Sequence, residues 1–286
     1  MAQTIGNPLS WAAKALGGTA EHVSTSVDRI GGDAPVEIRV NTLTIDDLRG
    51  ALRLGLDDFA AVRADVLMLV VLYPVMGLVL AGVGLQLALL PLLFPLAAGF
   101  ALLGPLAAVG LYEMSRLREA GETPGWGAAF ALIGRPRFGA LLVLGAAHLV
   151  IFAGWLLAAW AIYEVTLGPT PPTSATAFLS DVFTTGAGWA MLILGMAVGL
   201  GFALLVLATS VVSFPMLLDR NIGVPRAIVT SVAVARANPR VIGTWGLIVA
   251  ATLLIGSIPL LIGLVVALPV LGHATWHIYR RAISYA

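Results

Sequence analysis

Between Val66 and Tyr112 the chain carries no charged side chain. As one helix this stretch would run about 70 Å at 1.5 Å per residue, more than twice a hydrocarbon core of about 30 Å. It has to fold back once, and Gly82-Val83-Gly84-Leu85-Gln86 offers the place for the turn. Residues 241–279 call for the same treatment, turning near Gly256-Ser257-Ile258-Pro259, whereas residues 138–163 and 187–212 are single spans. The sequence therefore predicts an all-α polytopic membrane protein with six transmembrane helices, at about 66–84, 87–112, 138–163, 187–212, 241–257 and 259–279. Charged residues make up 11% of the chain, against about 25% in a soluble domain, so a water-exposed fold is disfavoured.

Charge placement predicts the orientation. All 16 Lys and Arg fall into four segments: before the first span, between spans two and three, between spans four and five, and after the last. The turns at 82–86 and 256–259 and the loop "GPTPPTSATAFLSD" contain none. By the positive-inside bias, both termini and the two basic loops are expected in the cytoplasm of a bacterial cell, with the protein in its inner membrane. The N-terminus lacks a basic start followed by an apolar core, so a cleaved signal peptide is not expected. With no cysteine in the chain, thiolate metal sites, disulfides and cysteine nucleophiles are excluded.

Residues 1–43 read as a polar, partly disordered cytoplasmic arm, with helical spacing at Leu16, Ala20, Val23, Val27 and Ile30 before "GGDAP" breaks it; residues 44–286 form the membrane domain. Thr44 opens an amphipathic helix, with Asp47 three residues on as an acidic capping box. Its apolar stripe is Ile45, Leu48, Leu52, Leu56, Phe59 and Val62, with Asp46, Asp47, Arg49, Arg53, Asp57 and Asp58 on the opposite, solvated side. A short helix of this kind leading into a span suits the membrane interface. The unit recurs: "GWGAAFALIGRPRF" precedes span three and "VPRAIVTSVAVARANPRV" precedes span five. Three copies are expected, each a short interfacial helix (about 44–62, 124–134 and 224–237) followed by a transmembrane hairpin.

The segments "VEIRVNTLTIDDLRGALRLGLDDF", "FPMLLDRNIGVPRAIVTSVAVARANPRVIGTWGLIVA" and "LPVLGHATWHIYRR" resemble the integral membrane proteins of domain-of-unknown-function family 2189. The resemblance covers roughly residues 36–281. It implies a multi-pass inner-membrane protein of proteobacterial type. Some members carry labels as cytochrome oxidase components, but only His148 lies deep in a span here, and a haem–copper catalytic subunit needs several intramembrane histidines.

The four histidines are His22, His148, His273 and His277. His273 and His277, four apart, share one helix face and offer half a metal site. They sit beside Trp276 and Tyr279, directly before Arg280 and Arg281, where an aromatic belt and snorkelling arginines belong. The expectation is interfacial packing, with no cofactor; His148, His273 and His277 are retained as the haem or metal candidates. On its own, His148 reads as a helix–helix hydrogen-bonding residue. Asp219, Arg220, Asn238, Trp276 and Arg280 are the candidate interaction or structural residues, and Asn238-Pro239 is expected to end the third interfacial helix.

No Walker glycine loop, HExxH, GxSxG or paired catalytic carboxylate is present, so an enzyme is not expected. Ion-coupled pumping is disfavoured by the lack of Asp, Glu, Lys and Arg within 66–112 and 138–163. The expected function is that of an accessory, assembly or scaffold component of a membrane complex, a respiratory one among the candidates. A small-solute or lipid transporter using Pro-broken helices is the second reading, and a haem or metal binder the third. Anionic lipid headgroups are the expected partners of the cytoplasmic arginines; nucleic acid is not.

Overall fold

Thr44 and Asp47 begin the first helix as the sequence suggests. The Thr44 amide donates to Asp47 Oδ2 at 2.8 Å, and the Asp47 amide donates back to Thr44 Oγ1 at 3.3 Å, which satisfies two amides that a helix start leaves without partners. In the computed structural model, which describes residues 37–86, 88–122, 124, 132, 135 and 137–286, helix α1 runs from Ile45 to Gly84 with one break at Val62 (φ −120°, ψ 15°). The break falls where the amphipathic part meets the apolar part. The spacing noted at residues 16–30, His22 and most of the helix expected at 124–134 lie outside the described residues.

The second apolar segment is not the single helix expected over 87–112. It is a 3-10 turn (Leu90–Leu92), α2 (Leu93–Leu102), α3 (Gly104–Ala107) and α4 (Val109–Glu119). Pro91, Pro95 and Pro105 have no amide hydrogen to bond the preceding turn, so the ladder is interrupted there. Helix α5 (Arg137–Val165) is followed by α6 (Ala175–Thr184), a helix within what the sequence suggested was a plain loop. Next come α7 (Gly186–Ser210), the short buried α8 (Ser213–Asp219), α9 (Val224–Ala237), α10 (Pro239–Ser257) and α11 (Leu264–Ala282). The last helix starts at Leu264 rather than 259, because the connection occupies residues 258–263 and holds Leu260 and Leu261 at φ 50° and 66°. Gly256 and Gly263 close its base, since a Cβ on Gly263 would lie 2.6 Å from the Gly256 Cα.

Among the described residues, three helices are long and apolar enough to cross a bilayer: Arg137–Val165, Gly186–Asp219 and Pro239–Ser257. Their outward faces are apolar, with Leu157, Ile193, Leu247 and Leu254 each more than 60% exposed. Apolar surface of that extent marks contact with lipid rather than water.

The dense core lies at the arginine-bearing end. Tyr112, Met114, Phe214, Met216, Leu217, Trp276 and Tyr279 are essentially inaccessible there. Helix α11 packs along α1 and against α4, and α8 fills the space between α4, α5 and α9. A two-stranded antiparallel ribbon closes this end, pairing β1 (Ile38–Val40) with β2 (Ile283–Tyr285). Asn238 locks the ribbon's exit: its Oδ1 accepts from the Leu43 amide at 2.7 Å and its Nδ2 donates to Asn41 O at 3.0 Å. Residues 38–43, read from sequence as part of the arm, thus belong to the packed body.

Candidate functional site

The first amphipathic helix buries a different face from the one expected. Its buried positions are Leu48, Ala51, Gly55, Asp58 and Val62, a 3-4-3-4 spacing that defines one helix face. Ile45 and Leu56 of the expected stripe are instead 41% and 52% exposed, while Asp58, expected on the solvated side, is 5% exposed. The cause is Gly55. A Cβ there would lie 2.8 Å from both the Ala274 amide nitrogen and the Val270 carbonyl oxygen. Backbone thus approaches backbone at this crossing, and the next residue along that face, Asp58, is delivered onto α11.

Asp58 is the hub. Its Oδ2 accepts from Ser115 Oγ at 2.6 Å and from His277 Nε2 at 2.9 Å, while Oδ1 accepts from Arg118 Nη1. Ser115 Oγ also lies 2.8 Å from His273 Nδ1. A serine has one hydroxyl hydrogen, and Ser115 gives it to Asp58; His273 must therefore carry its proton on Nδ1 and donate to Ser115 Oγ. His273 Nε2 is buried and has no hydrogen-bond partner among the described residues. Burial alone would push the Asp58 carboxyl up, but the hydrogen bonds from His277 and Ser115 outweigh it and hold the group below its ordinary range. The hydroxyl that His273 meets on another helix is that of Ser115, and the partner that sequence reasoning missed is Asp58.

The chain of contacts reads His277–Asp58–Ser115–His273. In a serine hydrolase the histidine stands between carboxylate and serine, so that it can take the serine's proton. Here the serine stands between carboxylate and histidine and is 1% exposed. The arrangement supports a hydrogen-bonded clamp between α1, α4 and α11 better than a nucleophile. It borders an open cleft of about 350 Å³ lined by Leu54, Asp57, Asp58, Ser115, Arg118, Glu119 and His277.

Three further carboxylates extend the clamp. Glu113, fully buried, accepts from Arg116 Nε and Nη2 at 2.7 and 2.8 Å and from Arg135 Nη1 at 2.8 Å. Glu119 accepts from Trp276 Nε1 at 2.9 Å and Arg280 Nε at 3.0 Å. Asp219 accepts from Tyr279 OH at 2.7 Å and lies 3.6 Å from Arg280 Nη1 and 3.5 Å from Arg220 Nε. Arg220 also stacks over the Tyr285 ring at 4.7 Å. The structure thus brings Asp219, Arg220, Trp276 and Arg280 into one belt, with Asn238 at the ribbon.

His148 stands apart from the pair. Its Nδ1 bonds Leu144 O at 2.9 Å, Nε2 lies 3.3 Å from Thr209 Oγ1, and its ring packs on Phe214 with 5.2 Å between centroids. It ties α5 to α7. Among the described residues no three His, Asp or Glu side chains are grouped as metal ligands.

A helical body with lipid-compatible outer faces and a polar clamp at one end defines an integral membrane protein. Residues 93–219 match the family model described as "Predicted integral membrane protein (DUF2189)". The match is shorter than the 36–281 stretch over which the sequence resembles the family. It contains Glu113, Ser115, Arg118 and Asp219, while Asp58, His273 and His277 lie outside it. No curated protein and no solved structure matches the chain.

Proposed function

We propose that this protein is a non-catalytic accessory, assembly or scaffold component of a bacterial inner-membrane complex, built from six spans in three hairpins with both termini cytoplasmic. One observation carries the reading: among the described residues the acids buried at the arginine-bearing end, Asp58 and Glu113, and the half-buried Asp219 are engaged in ties between separate segments. Asp58, Glu113 and Asp219 each hold two or more partners, on α1, α4, α8, α11 and the segment before α5. Chemistry or ion coupling calls for a polar group free to change partners; carboxylates each held by several donors favour a rigid platform. Exposure of Ile45 and Leu56 beside the buried face of α1 supports an interfacial position for that helix, because these side chains need an apolar boundary that the protein does not supply.

The test is affinity purification of the full chain from its native membrane in mild detergent. A membrane protein retained in fixed ratio is the expected result. The interrupted helices at 90–119 favour transport as the second reading, since broken helices are the usual way to expose backbone to a solute. Solute flux by the purified protein alone in proteoliposomes, with no partner recovered, would replace the scaffold reading with that one.

A further inference from the structure

At the end of the spans away from the arginine belt, α6 occupies ten residues between α5 and α7. Its ends are fixed locally. The Ala177 amide donates to Ser174 Oγ at 3.0 Å, and Thr185 Oγ1 donates to Asp181 O at 2.7 Å. Gly188 lets the start of α7 pass hard against the α6 backbone, where any side chain would collide with the Asp181 and Val182 carbonyls. The helix is therefore held in place rather than hanging from a loop.

At about 100° per residue, its side chains fall into three sectors. Phe178 and Val182 face the protein, and Val182 is 4% exposed. Thr176, Ser180, Asp181 and Thr184 are exposed on the far side. Between them lie Leu179 and Phe183, 55% and 57% exposed, although both are large and apolar. Trp189 extends this strip onto α7: it is 52% exposed, and its Nε1 donates to Phe183 O at 3.1 Å. Below Trp189, Ile193, Met196, Leu200 and Leu204 continue along α7, each more than half exposed.

We infer that α6 lies in the headgroup boundary of the leaflet opposite the arginine belt, with Leu179, Phe183 and Trp189 immersed in lipid as an anchor. The occupant of this apolar sector is the bilayer because the sector is continuous with the outer wall of a membrane-crossing helix. A Trp with its N–H satisfied by backbone and its ring outward suits the interface. Residues 138–219 contain no Lys or Arg, so the attraction is apolar and indifferent to headgroup charge. This anchor pins the α5–α7 connection at one depth while the arginine belt pins the other end.

The chain has no cysteine, so nitroxide labels can be placed one at a time on the full-length protein in phosphatidylcholine vesicles. Leu179→Cys and Phe183→Cys should give labels that collide readily with oxygen and poorly with a water-soluble nickel chelate; Ser180→Cys and Thr184→Cys should give the reverse. Replacing part of the lipid with phosphatidylglycerol should leave all four unchanged. Equal nickel access at 179 and 180 would place the helix in water and overturn the inference. Labels at 179 and 183 shielded from both reagents would overturn it equally, by showing that a second copy of the chain covers the strip. All four positions are exposed, so the labels do not invade the core.

Discussion

At the scale of single residues, Asp58 determines how three helices meet. Replacing it by Ala leaves Ser115, His277 and Arg118 without their acceptor at the edge of the cleft, and removal of one member of a buried charged set costs about 3–5 kcal/mol. Arg118 is partly exposed, so the expected loss is at the low end, about 3 kcal/mol, read from thermal unfolding in detergent. Asp58→Asn keeps an oxygen acceptor and should lose less. The pH dependence separates charge from shape. The folded protein holds the Asp58 carboxyl below its ordinary pKa of 3.8, so the stability it adds is fully present above that value and falls away as pH drops through the lowered one. The acid limb of the stability curve should be shallower in Asp58→Asn than in the parent. The same contacts bear on cofactors. His277 Nε2 is committed to Asp58 and His273 Nδ1 to Ser115, so of the buried ring nitrogens among the described residues only His273 Nε2 is left without a hydrogen bond, and one nitrogen does not make a metal site. Purified protein is expected to carry no stoichiometric zinc or haem. A Soret band, or one zinc per chain that vanishes in His273→Ala or His277→Ala, would reverse that assignment.

At the scale of elements, the crossing of α1 over α11 rests on Gly55. Alanine there gains about 1 kcal/mol in helix propensity, but its Cβ would meet two backbone atoms at 2.8 Å, and backbone cannot swing aside as a side chain does. Overpacking of this kind costs about 1–3 kcal/mol. Gly55→Ala should therefore be destabilising on balance and Gly55→Val more so. Because the shift also pulls Asp58 from His277, combining Gly55→Ala with Asp58→Asn should cost less than the two single losses added together; additive losses would show that Gly55 does not position Asp58. This crossing also explains what the sequence concealed. Hydropathy placed Asp58 on the solvated face because it weighs each residue alone; the small pair Ala51 and Gly55, at helical spacing from Asp58, was the signal that a partner backbone approaches on that side. Element positions were more legible. The Thr44–Asp47 cap, the end of α9 at Asn238-Pro239 and the long apolar helices follow from local chemistry. The fragmentation at 90–119 was signalled by three prolines, but the number of breaks depends on how the flanking helices pack, which spacing does not encode. The ribbon of β1 with β2 joins the two ends of the described body, and no local pattern reports a pairing that remote.

At the scale of the whole molecule, direct contacts constrain the topology. Arg118 meets Asp58, so the end of α4 lies with the amphipathic part of α1. Arg137 Nη1 donates to Leu218 O at 2.9 Å and to Asp219 O at 3.0 Å, joining the start of α5 to the end of α8. Arg280 lies between Glu119 and Asp219, and Arg281 Nε is 3.7 Å from Asp47 Oδ1. The four basic segments therefore touch one another, and segments in contact cannot be separated by a bilayer. Any path along the chain from one of them to another must cross the membrane an even number of times. That rule fixes neither the number of crossings between them nor the sign; in the proposed topology each pair of neighbouring basic segments is separated by one hairpin, and the positive-inside bias puts the arginine end in the cytoplasm. Reporter fusions should then read as cytoplasmic after Gly121, Val224 and Ala286, and as periplasmic after Ala175. The two kinds of failure carry different meanings. A uniform reversal at all four points would keep the architecture and refute the orientation. A cytoplasmic signal at Ala175 would require α5 not to cross, although it is 29 residues long and carries no charge between Phe138 and Tyr163, and that result would remove the hairpin on which the three-fold arrangement depends.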